Sequence, residues 1–284
     1  MKLIFTYLIT LLCACTHVCA QDAAAADTGF HQQPGIDSVF EHKTFVKGKY
    51  SFMDVDVLDN LYVITDANQL IKINANGDSV ASFNDVKKYG NPSFIDVSNP
   101  LKILVYYQGF STVVILDRLL TLRTSINLRK MGLFSVKALA TSYDNNIWIF
   151  DEQDMKLKKI DNDGNTLMET TDWRQLFDPV PSPSQIIDAD NFVYLYDENK
   201  GFAIFDYYGS LKSSLPFLHW KNIAISRNVI YGFDNNVLYS YQLNTLTLKQ
   251  YKLPDYFNNY SIIKATNGKV YLLKSDGIEI LKLK

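Results

Sequence analysis

A short pattern recurs along the 284-residue chain at nearly constant spacing, and it constrains the fold more than any single residue does. Each copy runs from an apolar or aromatic stretch through a polar turn into a second apolar stretch, and a third stretch closes on a tight turn. The residues that lead into the tight turns are Ile73, Leu116, Ile160, Phe205, Tyr241 and Ile280, at intervals of 43, 44, 45, 36 and 39 residues. Such a period defines a repeat architecture, in which each copy is one supersecondary unit.

The copies read as strands. The first runs are Phe52 to Val57, Phe94 to Val97, Val136 to Ala140, Gln185 to Ala189, Asn222 to Ile225 and Ile262 to Ala265. They are short, rich in β-branched and aromatic residues, and bounded by Asp, Asn and Gly. Second runs such as Leu61 to Ile64 and Ile147 to Phe150 follow, then the third runs, then fourth runs such as Ser79 to Phe83 and Leu211 to Leu215. Gly77, Gly164 and Gly209 stand at matching places in the tight turns, where a hairpin needs positive φ; blade two has no such glycine. The period matches the roughly 40–45 residues of a four-stranded propeller blade. The expectation is all-β, a six-bladed β-propeller of antiparallel blades over residues 37–284. The sixth copy stops after three strands, so Ser38 to Val46 is expected to supply its outermost strand and close the ring.

On this periodicity and turn placement the chain resembles the secreted six-bladed propellers of bacteria, the broad NHL and TolB-like repeat group. The resemblance covers about residues 37 to 284 and implies a fold more than an activity. The abundance of Asn, Lys and Tyr and the Cys19-Ala20-Gln21 junction are similar to proteins of Bacteroidota.

Residues 1–20 are a different kind of segment. Lys2, the apolar stretch Leu3 to Leu12 and the small-residue site Val18-Cys19-Ala20 before Gln21 form a secretory signal peptide pattern. Its apolar stretch is shorter than the roughly 20 residues that a spanning helix needs. All three cysteines (Cys13, Cys15, Cys19) lie within it, so cleavage between Ala20 and Gln21 would leave no thiol for disulfides, thiolate catalysis or metal binding. The alternative processing is lipidation at Cys15, from the loose lipobox Leu12-Cys13-Ala14-Cys15. Residues 21–36 read as a flexible leader. The expected location is the periplasm or the outer membrane.

With 47% apolar residues, 13% aromatics and a formal net charge of −2, the chain can bury a large core and shows no bias towards nucleic acid. Aligning the first strands puts Asp56, Asp96, Leu139, Asp188, Ala224 and Lys264 at one position, so that carboxylates and an ammonium would ring the central channel. Such a ring could hold a divalent cation or a small ligand, or form an internal ion-pair cluster. The Glu, two Asn and Asp that lactonase-like six-bladed hydrolases place around a metal are not recovered. Asp161-Asn162-Asp163-Gly164-Asn165 begins like a calcium loop, lacks the closing glutamate and reads as a hairpin turn. His31, His42 and His219 are the only histidines after residue 20, and none has a partner motif for nucleophilic catalysis.

The remaining candidates are aromatic. Tyr107, Phe110, Trp173, Tyr207, Tyr208, His219 and Trp220 are the residues expected to meet a protein partner, whereas Trp148, in mid-strand, is expected in the core. The segment Thr171 to Ser184 breaks the regular spacing, as functional loops often do. The sequence therefore suggests a scaffold without resident cofactor, monomeric in itself and bound within an envelope complex.

Overall fold

The computed structural model describes residues 40–253, 257, 259–266 and 269–283. The signal peptide pattern, the processing candidates Cys15, Ala20 and Gln21, the leader with His31, and the side chain of His42 lie outside the described residues.

Twenty-four strands occur among the described residues, in six four-stranded antiparallel sheets. After β1 (Phe40–Lys47), blade 1 comprises β2 (Tyr50–Val55), β3 (Leu61–Thr65), β4 (Leu70–Ile73) and β5 (Ser79–Phe83). Blade 2 comprises β6 (Phe94–Asn99), β7 (Lys102–Tyr107), β8 (Thr112–Leu116) and β9 (Leu122–Asn127). Blade 3 has β10 (Val136–Thr141), β11 (Ile147–Asp151), β12 (Lys156–Ile160) and β13 (Thr166–Glu169). In blade 4 are β14 (Gln185–Ala189), β15 (Phe192–Asp197), β16 (Gly201–Asp206) and β17 (Leu211–Leu215). Blade 5 is β18 (Lys221–Ser226), β19 (Val229–Asp234), β20 (Val237–Gln242) and β21 (Thr247–Lys252). Blade 6 holds β22 (Ile262–Thr266), β23 (Lys269–Lys274) and β24 (Gly277–Leu283), with β1 antiparallel to β24 in a register that sets Val46 opposite Ile278. The first strands touch in the order β2, β6, β10, β14, β18, β22, and β22 returns to β2, so the sheets form a ring: a six-bladed β-propeller.

Burial follows from that stacking. Each sheet has a neighbour on both faces, so β7, β8 and β11 are buried at every position, while the outer strands β5 and β13 are largely exposed. Between the blades lie fully buried large side chains such as Tyr62, Trp148, Phe150 and Phe205. Each contributes about 1.5–3 kcal/mol through removal of its apolar surface from water.

One turn recurs in blades 1 to 4. In the third-to-fourth-strand turns the side chains of Asn74, Asp117, Asp161 and Asp206 each accept the backbone N–H groups two and four residues on. The residue three positions on has positive φ: Gly77 at 94°, Gly164 at 94° and Gly209 at 84°. Blade 2 has Leu120 at this place, at φ 57° and buried, and it packs into the core between blades 1 and 2. Its apolar burial offsets the roughly 1–2 kcal/mol that a left-handed backbone costs a side-chain-bearing residue. Asp56 builds the same turn between the first two strands of blade 1, where Asp59 takes the positive φ.

Strand alternation gives the ring two faces. The turn face carries the turns between first and second and between third and fourth strands. The crossover face carries the turns between second and third strands and the passages from one blade to the next.

Candidate functional site

The candidate channel residues are not one ring. Traced inward from the landmark residues by register, Asp188 and Lys264 share a rung with Val55, Thr141 and Ile225. Asp96 and Ala224 fall one rung back, and Asp56 lies beyond the end of β2. The sequence alignment is corrected here, because β6 changes register between Asp96 and Asn99 and Asp56 belongs to a turn.

Each of these groups has a local task. Asp56 is buried and accepts hydrogen bonds from the Leu58 and Asn60 backbone N–H groups, the Asn60 amide at 2.8 Å and the Tyr62 hydroxyl at 3.1 Å. Asp96 accepts from Ser98 N–H within blade 2 and from Thr141 N–H across the seam to blade 3. Asp188 reaches back from blade 4 to blade 3, accepting Trp148 Nε1–H at 2.8 Å and Tyr143 N–H at 3.0 Å, and it also takes the Tyr207 hydroxyl at 2.6 Å. Burial and the adjacent carboxylate push the Tyr207 hydroxyl well above the usual phenol range. Lys264 pairs with Asp54 at 3.2 Å across the seam between blades 6 and 1, and Lys269 pairs with Asp59 at 2.7 Å across the same seam.

Basic groups staple further seams. Lys72 Nζ donates to the Arg118 carbonyl at 2.9 Å, and Lys102 Nζ donates to the Asn145 carbonyl and to Asn162 Oδ1. Burial pulls Lys102 down to about 8, against the opposing pull of Asp96 and Asp144. For Asp144, burial acts to raise the carboxyl, but hydrogen bonds from Lys159 and Asn146 outweigh it and hold the group at about 2. Among the described residues no group of three or more His, Cys, Asp or Glu side chains is arranged to hold a metal ion. Asp161 uses its oxygens on Asp163 N–H, Asn165 N–H and the Asn165 amide, as the hairpin reading requires.

The aromatic candidates divide. Tyr107, Trp173 and Trp220 are corrected from partner contacts to interior residues, since all three are buried. Trp173 stacks on Phe205 at 5.2 Å and also meets Phe150 and Phe177, so the 171–184 segment inserts its aromatic side into the core between blades 3 and 4. Trp220 is stacked between Phe217 and Tyr239, its N–H of the main chain donating to the Tyr196 hydroxyl. It lies against Gly232, where a β-carbon would come within 2.5 Å of the indole. His219 is exposed on the crossover face, at φ 62°, with its backbone N–H on the Glu198 carbonyl.

Phe110 and Tyr208 are exposed, and Tyr207 is half-buried against Tyr143 with ring centroids 4.0 Å apart. These candidates lie on opposite faces: Phe110 in the β7–β8 turn on the crossover face, Tyr207 and Tyr208 in the β16–β17 turn on the turn face. Sequence reasoning missed Val57, Leu58, Leu101 and Tyr143, exposed in the first turns of blades 1, 2 and 3. The signal available was an apolar residue inside a polar turn.

No protein-family model matches the chain, and no curated protein matches it in sequence. Solved structures do share its fold. The Pan2 WD40 domain of Neurospora crassa superposes with TM-score 0.64 at 10% identity, over 86% of this chain and 95% of that one. A catalytically inactive virginiamycin B lyase from Staphylococcus aureus with quinupristin gives 0.61 at 13% identity, over 86% and 98%. A Bacteroides fragilis protein provisionally described as exported gives 0.58 at 13%, over 90% and 98%. Enzymes and non-enzymes share this architecture, and the likeness defines the fold alone.

Proposed function

We propose that the protein is a non-catalytic propeller of the periplasm or outer-membrane surface that acts as a protein-binding scaffold, an accessory subunit of an envelope complex. One observation carries the reading: Asp96, Asp188 and Lys264 of the inner wall hold blade to blade, while large apolar side chains such as Tyr208, Leu246 and Leu101 are left exposed. A rigid ring with presented loops suits recognition. The signal peptide pattern of residues 1–20 supports the compartment, and among the described residues no helix is long and apolar enough to cross a membrane.

The alternative, a divalent cation or hydrolytic site in the channel, loses support because Asp56, Asp96 and Asp188 are each committed to separate donors. Crosslinking the tagged protein in its own cell envelope, followed by affinity recovery and mass spectrometry, tests the scaffold reading. A stoichiometric protein complex is expected; recovery of the propeller alone under efficient crosslinking would overturn it.

A further inference from the structure

The six most exposed large apolar side chains among the described residues are Tyr208, Leu246, Leu101, Leu58, Val57 and Tyr143, from 89% down to 61% exposed. All six stand in turns of the turn face. Leu246 is in blade 5; the others form an arc over blades 1 to 4, which Leu119 of blade 2 extends.

The arc is held in place from blade to blade. Lys72 of blade 1 binds the Arg118 carbonyl beside Leu119. The Asn99 amide donates to Asn145 Oδ1 at 2.7 Å, joining the first turns of blades 2 and 3. The Tyr143 and Tyr207 rings join blades 3 and 4. Apolar knobs on fixed loops lose little freedom when they are covered, which favours their use as anchors.

Charge says what covers them. The turns of this face in blades 1 to 4 contain eight aspartates and a single basic residue, Arg118. Three of the eight, Asp59, Asp117 and Asp144, are paired with basic side chains and Asp56 is buried; Asp78, Asp161, Asp163 and Asp190 still outnumber Arg118 and the buried Lys72 and Lys102 that reach these turns, and leave the arc with a negative balance. An anionic bilayer is repelled by such a rim, and so is a second copy of the same face. Basic groups beside apolar ones are attracted.

Resting on the scaffold reading, we infer that the turn face over blades 1 to 4 is the docking surface, and that its occupant is a protein segment with apolar anchor residues flanked by lysine or arginine.

A photo-crosslinking residue placed singly at Leu119 or Tyr208, and at Phe110 or Phe134 on the crossover face, tests this in the full chain within the cell that makes it. Adducts are expected from Leu119 and Tyr208, with the crosslinked peptide mapped to an apolar stretch within a few residues of Lys or Arg. Combined Leu58→Asp and Leu101→Asp should lower those adducts about tenfold, the effect of losing central apolar anchors, with thermal unfolding unchanged. Adducts with lipid, with a second copy of the chain or with an acidic segment would overturn the inference. Protein adducts from the crossover face alone would overturn it and leave the scaffold reading standing; adducts from neither face would overturn both.

Discussion

Asp188 in blade 4 accepts the indole N–H of Trp148 in blade 3 at 2.8 Å, so a carboxylate expected to look into the channel instead fastens two blades together. The same oxygen takes Tyr143 N–H, and the other takes the Tyr207 hydroxyl.

Removing that carboxylate strands the buried indole N–H. Asp188→Ala should cost about 1–3 kcal/mol, since an unpaired buried donor carries its full desolvation penalty. Urea unfolding checks the value; a change within error would mean that the seam tolerates the loss.

Gly232→Ala should destabilise by about 1–3 kcal/mol, the usual cost of overpacking a well-filled core. Its β-carbon would lie 2.5 Å from the Trp220 ring, which must shift against Phe217 and Tyr239. Tryptophan emission, with the denaturation midpoint, reports both the shift and the loss.

Lys102 gives the stability a pH dependence of definite sign. Its folded value near 8 lies below the ordinary lysine value of 10.5, so the unfolded chain holds the proton more tightly and stability gained at this position rises between those limits. Lys102→Met removes the titrating group. Measured from pH 7.5 to about 9.5, with the tyrosine contribution common to both proteins, the wild-type stability relative to the variant should climb with pH. A flat difference would contradict the assigned burial.

Chelation should leave thermal unfolding unmoved. A cation held by the native state would stabilise it in proportion to the logarithm of its concentration over Kd, and the channel carboxylates are already engaged by protein donors. A drop in Tm on addition of EDTA, reversed by calcium or magnesium, would count against this view.

The repeat was legible because turn chemistry and strand length obey local rules. Gln185 to Ala189, Ser79 to Phe83 and Leu211 to Leu215 are strands over those same residues. The site was less legible for two physical reasons. Strands covered on both faces do not alternate, so nothing local told that Tyr107, beside a turn, points inward. The irregular 171–184 segment looked like a presented loop, yet Trp173 fills the space between blades 3 and 4. The channel alignment failed where β6 shifts register, a feature set by pairing with β7 and invisible in β6 alone.

Leu120 has a bearing on how this ring could be rebuilt. In blade 1 the tight turn is shaped by Gly77, around which a β-carbon would meet nothing within 4 Å, so the turn could be transplanted with its blade, whereas Gly164 and Gly209 of blades 3 and 4 lie close against Ile126 and Met131 and against Met168 and Thr170. In blade 2 a single leucine both bends the chain and fills the interior against blade 1. Blade 2 is therefore less interchangeable than blade 1 at this turn: a chimera that exchanges it must carry part of its neighbour along, whereas one that exchanges blade 1 keeps shape and contents separate there.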